Sequence, residues 1–216
     1  MIISPGRRFL FVHIPKTGGT SMAVALEARA HKDDILIGDT PKAQKRKARL
    51  KHLAPKGRLW KHSTLADIDG ILTSDQIAEM FNVTIVRNPW DRAVSYYHWL
   101  QDQSFDHPAV GLAQRLDFAD FLRHSHTCAS LSGWPAARYM TDATGVERCS
   151  HYIRLEHLAE DIAPFEAHLG FGLDLGQENR SQRARDYRGY YDAALADHLG
   201  TLCAEDIARF GYRFEG

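Results

Sequence analysis

The stretch "FVHIPKTGGTSM", residues 11–22, contains the residue types that bind phosphate. An apolar run is followed by a lysine, two glycines and two hydroxyl side chains, and then by the helix-forming "AVALEARA". A strand, a glycine-containing loop and a helix in this order commonly hold phosphate, because the backbone N–H groups at the start of the helix point toward the anion. The lysine precedes the glycines, whereas the Walker A order G-x-x-x-x-G-K-[ST] places it after them.

Each polar residue of this loop has a chemical use. Gly18 and Gly19 let backbone amides approach an anion closely. Lys16 adds a positive charge, while Thr20 and Ser21 add hydroxyl donors. An ordinary tight turn between a strand and a helix is the structural alternative. So many anion-binding groups directly after an apolar strand predict an anion-binding loop.

A second candidate anion site follows another apolar run, "VTIVR", at residues 83–87. Arg87 stands at the carboxyl end of this predicted strand, where open α/β sheets bind their ligands. Ser95 lies eight residues further on, in the helix predicted for "NPWDRAVSYYHWL". The guanidinium fork and the hydroxyl could converge on one anion, although an arginine in this position is often structural. Two such sites in one chain fit a nucleotide phosphorylated at both ends.

Composition excludes several other classes of protein. The chain of 216 residues has 27 basic and 27 acidic residues, so no overall charge draws it to nucleic acid or to a membrane surface. The three cysteines lie far apart and form no C-x-x-C motif. No segment reaches the roughly 20 apolar residues that span a bilayer. We expect a soluble cytoplasmic protein without stable membrane insertion.

The elements that must position these residues follow from the apolar pattern. Continuous apolar runs are typical of strands buried in a parallel sheet. We predict strands at residues 8–14, 83–87 and 151–158, the last running into a helix, and helices at 21–29, 74–81, 118–124 and 192–210. Strands that alternate with helices predict a three-layer α/β/α, P-loop-like fold with a central, mainly parallel sheet. We expect one domain over residues 1–216.

Helix boundaries and the basic segment give further expectations. Ser74 is the predicted N-cap of its helix, and Asn88, Pro89 and Asp91 suit the first turn of theirs. Residues 42–62 are rich in lysine and arginine. A solvated helix face explains them most simply, and a surface that attracts an anionic acceptor is the alternative.

These motifs resemble the sulfotransferases that use 3′-phosphoadenosine 5′-phosphosulfate (PAPS). "FVHIPKTGGTS" is similar to the loop that binds the 5′-phosphosulfate, and "TIVRNPWDRAVSYY" to the segment that binds the 3′-phosphate. "RSQRARDYRGYYD" and "AEDIARFGYRFEG" resemble the branch that includes carbohydrate sulfotransferases and bacterial relatives. The resemblance is weakest over residues 25–75 and 100–150, which are expected to shape the acceptor site.

The resemblance implies a role for each motif. The residues that hold the 5′ end of PAPS are Lys16, Thr17, Gly18, Gly19, Thr20 and Ser21, and those that hold the 3′-phosphate are Arg87 and Ser95. No metal is implied, so Lys16 is expected to stabilise the charge on the departing phosphate oxygen. His62 lies where related enzymes place a histidine and is the expected general base, with His13 as its competitor. His52 and His98 rank lower, and Glu27 and Asp91 are distant possibilities.

The late polar loop is expected to close over the nucleotide. In the family its basic residues contact phosphate, and of Arg180, Arg183 and Arg185 we select Arg183. Tyr187 and Tyr190 lie in the same region. The four tryptophans include candidates for stacking on adenine or acceptor, although core packing is the better default for each.

Two other functions fit parts of the sequence. A P-loop-type nucleotide or small-molecule kinase shares the strand, loop and helix, but the order of lysine and glycines disfavours it. A non-catalytic nucleotide- or polyanion-binding module would use the basic segment. For the sulfotransferase, the expected partner is a small-molecule, lipid or carbohydrate acceptor with a hydroxyl or amine, and no nucleic acid. The sequence leaves open the acceptor's identity and the oligomeric state.

Overall fold

The computed structural model describes residues 1–176 and 186–215, which fall into two compact units. The first unit contains residues 1–86 and 136–176, and the second contains residues 87–135 and 186–215. The chain therefore passes from the first unit to the second directly after residue 86 and returns directly after residue 135. That the whole chain forms a single domain stays a prediction.

The first unit contains a five-stranded sheet and short helices. Its strands are β1 (Ile2–Ser4), β2 (Phe9–Val12), β3 (Ile35–Leu36), β4 (Phe81–Val86) and β5 (His151–Arg154). Its α-helices are α1 (Gly19–Ala28), α2 (Pro41–Arg46), α3 (Ser74–Ala78), α8 (Ala136–Tyr139), α9 (Leu158–Asp161) and α10 (Ala163–Leu169), and its 3₁₀ turns are Lys47–His52, Ala66–Ile68 and Leu155–His157. The helices that lie between α3 and α8 in the chain are part of the second unit and are described below.

The strands lie in the order β3-β1-β2-β4-β5. β2 pairs in parallel with β4, with Phe9 opposite Phe81, and β4 pairs in parallel with β5, with Val83 opposite His151. β1 is antiparallel to both β2 and β3, so four of the five strands run in the same direction. The predicted α/β class with a mainly parallel central sheet is confirmed.

The sheet is buried on both faces, as its apolar runs predicted. Phe11, Val83 and Ile85 belong to a core cluster with side chains of α1 and α10, among them Met22 and Phe165. Alternate residues along the same strands point to the opposite face and are equally buried. Burying one large apolar side chain contributes about 1.5–3 kcal/mol, so this core fixes β2 and β4 firmly.

The second unit's described elements are helical. They are α4 (Pro89–Gln101), α5 (Pro108–Arg115), α6 (Phe118–Arg123), α7 (Ser125–Ser132), α11 (Ala193–Leu202) and α12 (Ala204–Phe210), with a 3₁₀ turn at Arg188–Tyr190. Helix α4 begins as predicted, with the Asn88 side chain accepting from the Trp90 N–H and with Pro89 in the first turn. None of the described helices is long and apolar enough to cross a membrane.

Two helix predictions need correction. Thr73, and not Ser74, caps α3: its hydroxyl accepts from Gln76 N–H while the Gln76 side chain accepts from Thr73 N–H. The helix predicted over residues 192–210 is two helices that meet at Cys203, and Gly211 ends the second with a left-handed φ of 68°. The apolar spacing continues through Cys203 although the helix does not. Such spacing indicates which residues face the core, and it does not show whether the backbone is one continuous helix.

Candidate active site

The loop between β2 and α1 has the backbone geometry of a tight cradle. Gly18 adopts a φ of 84° and caps α1, and no side chain caps that helix start. Lys16 also has a positive φ, 64°, which for a residue with a Cβ costs on the order of 1 kcal/mol. The cradle therefore presents the first N–H groups of α1 and holds its lysine in an uncommon conformation.

Both glycines of the loop sit where a side chain would collide. A Cβ on Gly19 would lie 2.2 Å from Cδ2 of His13, and a Cβ on Gly18 would lie 2.9 Å from Cδ1 of Leu155. The close approach of the His13 ring to the start of α1 therefore requires glycine at position 19. From the sequence, we explained both glycines by the close approach of an anion to the backbone, and we did not predict this packing.

The three hydroxyl residues of the loop differ in their surroundings. The Thr17 side chain is buried, and its hydroxyl donates to the carbonyl of Ile14 over 2.9 Å. Any contact of Thr17 with an anion therefore comes from its backbone N–H. Thr20 and Ser21 are half-buried on the first turn of α1, as is Lys16 on the loop itself.

His62 packs against the end of β2, next to His13. Its Nδ1 lies 2.7 Å from the carbonyl oxygen of His13, so Nδ1 carries the hydrogen and the lone pair of the neutral ring is on Nε2. The two imidazole rings meet edge to face with their centroids 4.7 Å apart, and the Trp60 ring meets His62 in the same way at 5.0 Å. The structure therefore brings the predicted base and its competitor together.

Burial keeps both histidines neutral. Loss of hydration lowers the pKa of His62 to about 3, against the hydrogen bond to His13, which favours the charged ring. Burial, and then the neighbouring His62, hold the pKa of His13 well below its usual range. The sequence does not show that these rings are buried.

A small polar cleft lies beside this histidine pair. It is lined by His13, by Thr20 and Glu27, which lie two turns apart on one face of α1, and by Asp39 and Lys61. Lys61 Nζ and Asp39 Oδ2 are 2.6 Å apart at the exposed side. Partial burial acts to raise the pKa of Asp39, but the hydrogen bond and the charge of Lys61 outweigh it, so that this pKa is lowered. Sequence reasoning missed Asp39 and Lys61 because they are far apart in the chain.

Glu27 forms the buried wall of the cleft. Both of its carboxylate oxygens lie 2.7 Å from the hydroxyl of Thr40, which also caps α2 by accepting from Ala43 N–H. Burial raises the pKa of Glu27, partly offset by the Thr40 hydrogen bond. This carboxylate, a distant candidate for the base from sequence, is held by a structural partner.

In the second unit, Arg87 directly follows β4 in the chain and pairs with Asp91. Its Nε and Nη2 lie 2.8 Å and 2.5 Å from Asp91 Oδ2, and both side chains are largely buried. Asp91, expected to favour the helix dipole, thus also orients the guanidinium. Ser95 is one turn beyond Asp91 on the same helical row, which is consistent with the predicted pairing of Arg87 and Ser95.

Ser95 is largely buried in α4, with only 6% of the residue exposed. Its hydroxyl forms no hydrogen bond with another described side chain, and a hydroxyl can donate to a bound anion.

Aromatic residues near the end of the chain anchor the start of α4. Asn88 Nδ2 donates to the hydroxyl of Tyr187 at 3.3 Å, and the Tyr187 hydroxyl donates to the carbonyl of Phe214 at 2.5 Å. The Tyr191 hydroxyl donates to the carbonyl of Trp90 at 2.8 Å, and the Trp90 and Phe214 rings meet edge to face. Sequence reasoning did not predict that these residues support the Arg87 segment.

The remaining candidates divide between packing, exposure and the undescribed loop. Trp90 is buried, which fits core packing, whereas Trp60 and Trp134 are exposed. The Tyr190 hydroxyl lies 2.9 Å from His98 Nε2. The three arginines of the late loop, Arg183 among them with Arg180 and Arg185, lie outside the described residues. Among the residues described, no three His, Cys, Asp or Glu side chains form a group suited to a metal.

A glycine loop between a strand and a helix of a mainly parallel sheet is typical of phosphate-binding α/β proteins. The model of the sulfotransferase family matches residues 1–190, and the chain belongs to that family. This membership confirms the resemblance seen in the sequence and makes the protein a transferase.

The chain is similar to solved structures of sulfotransferases, one of which shows the same fold. Mouse sulfotransferase SULT7A1, crystallised with PAP, is 16% identical, with alignment over 95% of this chain and 85% of that one and a TM-score of 0.52. A sulfotransferase from Alicyclobacillus acidocaldarius is 17% identical over 96% of this chain and 97% of that one, with a TM-score of 0.39. No curated protein matches the sequence.

Proposed function

We propose that this chain transfers a sulfuryl group from PAPS to a hydroxyl or amine acceptor. The observation that carries the proposal is the loop between β2 and α1, where an uncapped helix start, Gly18 and the positive-φ Lys16 converge. Mouse sulfotransferase SULT7A1, which shares the fold, was crystallised with PAP, the product nucleotide of such a transfer. The order of lysine and glycines and the family membership disfavour the kinase alternative.

In this proposal the 5′ end of PAPS lies in the loop. The acceptor oxygen forms a bond to sulfur while the bond from sulfur to the 5′-phosphate oxygen breaks, in line with the attack. The N–H groups of α1 and the Lys16 ammonium stabilise the negative charge that develops on the departing phosphate oxygen, and no metal is needed. The released nucleotide is PAP.

His62 is the proposed base of this reaction. Its Nδ1–H is committed to the carbonyl of His13, so Nε2 accepts the proton from the acceptor as the new oxygen–sulfur bond forms. Burial keeps the ring neutral at physiological pH, so the lone pair of Nε2 is free of a proton, and the lowered pKa also makes Nε2 a weaker base than an ordinary histidine. His13 has the weaker claim, since its ring packs on Gly19 inside the first unit's core.

The 3′-phosphate is assigned to Arg87 and Ser95. Arg87 is oriented by Asp91, and the buried hydroxyl of Ser95 offers a donor one turn further along. Arg183 is proposed as a further phosphate contact on the basis of the family resemblance. Together these residues would select a 3′-phosphorylated nucleotide over one without that phosphate. We further propose that the chain works as a single domain in the cytoplasm.

The test uses PAPS turnover and nucleotide binding on the same variants. Lys16→Ala should lower the rate of transfer by about a hundredfold or more, and His62→Gln by about a hundred- to ten-thousandfold. His62→Gln should leave the affinity for PAP nearly unchanged, because the base contacts the acceptor. Lys45→Ala, which removes an exposed lysine of α2, is the matched control and should retain the wild-type rate.

Two results would contradict this proposal. The first is thermal stabilisation of the wild-type protein by Mg-ATP but not by PAP, which would indicate the kinase alternative, since a ligand that binds the native state raises its stability. The second is near-normal transfer by Lys16→Ala, which would remove the loop lysine from the reaction.

A further inference from the structure

Trp60 is an exposed aromatic ring that the fold holds in a fixed place. The residue is 43% exposed, which leaves part of its apolar ring in contact with solvent. Its backbone N–H donates to the hydroxyl oxygen of the fully buried Ser63 at 2.9 Å, and that oxygen also lies 2.8 Å from the carbonyl of Arg58. The turn from Arg58 to Ser63 is thus closed by a buried hydroxyl, which orders the exposed ring.

The ring lies between the proposed base and an arginine. Trp60 meets His62 edge to face at 5.0 Å, and the guanidinium carbon of Arg58 lies 5.2 Å from the centroid of the Trp60 ring. A group that contacts the Trp60 ring is therefore near His62 on one side and near a positive charge on the other. Neither Trp60 nor Arg58 has a part in the mechanism proposed above.

The segment that carries this ring is rich in basic residues. Residues 42–62 contain nine Lys and Arg residues and no Asp or Glu. Several of these cations have partners from elsewhere in the first unit: Lys56 pairs with Asp69, Lys61 pairs with Asp39, and Arg46 donates to the carbonyl of His31. The described part of the chain offers Arg58 no carboxylate within ion-pair distance.

We propose that Trp60 and Arg58 select the acceptor, which is a hydroxylated ring that carries a negative charge. The face of the ring stacks on Trp60, its anionic group pairs with Arg58, and its hydroxyl points to Nε2 of His62. This inference rests on the proposed sulfuryl transfer and adds the acceptor's chemical class. It makes both residues determinants of specificity, in a segment that the sequence analysis expects to shape the acceptor site.

The experiment compares two matched pairs of acceptors with PAPS, with the sulfated product measured by mass spectrometry. One pair is methyl glucuronide and methyl glucoside, and the other is 4-hydroxybenzoate and 4-hydroxybenzyl alcohol. Each pair differs by the anionic group, and the two pairs distinguish a sugar ring from a phenol. We expect the anionic member of at least one pair to be preferred about tenfold or more in kcat/KM, the usual effect of one charge-assisted hydrogen bond.

Variants then separate the two residues. Arg58→Gln should abolish the preference for the anionic member, and Trp60→Ala should raise the KM of both members about tenfold with little change in kcat. Trp60→Phe should restore most of the affinity, because it keeps a stacking surface. Trp134→Ala removes another exposed tryptophan and is the control that should behave as the wild type.

Binding of PAP, measured by calorimetry on the same proteins, distinguishes the two proposals. A wild-type protein that binds no PAP would overturn the proposed function itself. A protein that binds PAP but sulfates none of the four probes, or sulfates them with no dependence on Trp60 and Arg58, would overturn only the assignment of the acceptor.

Discussion

The buried histidines predict that the protein loses stability as the pH falls from neutral. The folded state holds the pKa of His62 at about 3, against an ordinary value of 6.5. Below pH 6.5 the unfolded chain takes up a proton at this position and the folded chain does not, so protonation favours unfolding. The stability that neutral His62 contributes is therefore complete above pH 6.5 and declines as the pH falls toward 3.

The expected size of the effect follows from the same pKa values. Between pH 7 and pH 5, the free energy of unfolding should fall by about 2 kcal/mol from His62 alone. His13, whose pKa is lowered by burial, adds to the fall in the same direction. Domains of this kind are stabilised by only about 5–15 kcal/mol, so the loss is a substantial fraction of the total.

The assay is urea unfolding of the wild type and of His62→Gln at pH 7, 6 and 5. The decline between pH 7 and pH 5 should be about 2 kcal/mol smaller in the variant. Asp161 does not change the difference in stability between the two proteins, because its pKa of about 2 lies below the pH range of the assay. Glu27, whose pKa is raised by burial, opposes the decline equally in both proteins. His52→Gln, which changes an exposed histidine, is the control.

One result would refute this reasoning. If His62→Gln loses as much stability between pH 7 and pH 5 as the wild type, His62 titrates alike in the folded and unfolded chains, and its ring is not in the buried environment described here. The packing of His62 against the His13 carbonyl, which leaves Nε2 as the proposed proton acceptor, would then lose its support.

Two further predictions concern the candidate nucleotide sites. Arg87→Ala should weaken PAP binding about tenfold or more, and Ser95→Ala by a smaller factor, with little effect on adenosine 5′-phosphate; calorimetry showing equal losses for both nucleotides would mean that the pair does not bind the 3′-phosphate. Gly19→Ala should destabilise the protein by about 1–3 kcal/mol in urea unfolding, because its Cβ meets the His13 ring. Gly176→Ala, where a Cβ meets nothing within 4 Å, should change stability little, and equal effects of both substitutions would contradict the packing argument.

The parts of the fold that were predicted from sequence carry strong local signals. The strands β2 and β4 are apolar runs buried on both faces. The adjacent Asn88 and Pro89 are residue types that commonly start a helix, and they indicate the start of α4. The cap of α3 could also have been predicted from the sequence. Thr73 lies three residues before Gln76, which is the spacing of a capping box, whereas the residue three positions after Ser74 is Ile77 and cannot act as the partner.

The parts that were missed depend on contacts distant in the chain. The strands β1 and β3 have three and two residues, too few for a pattern, and pairing with the rest of the sheet is what defines them. The burial of His62 arises from its place against the end of β2, 49 residues earlier in the chain. The polar cleft joins Asp39 and Lys61 in the same way, so no local spacing marks it.

The anchoring of α4 has a consequence for how the protein is made. Asn88 bonds to partners 99 and 125 residues later in the chain, and Trp90 bonds to the carbonyl of Ala196, 106 residues later. During synthesis from the N-terminus, the segment that begins at Arg87 therefore emerges from the ribosome long before the residues that fix it. Loops of this length close slowly, so the segment waits for its partners in an unanchored state. A ribosome stalled after residue 190 would leave a nascent chain that contains the whole region matched by the family, yet lacks the carbonyls of Ala196 and Arg213.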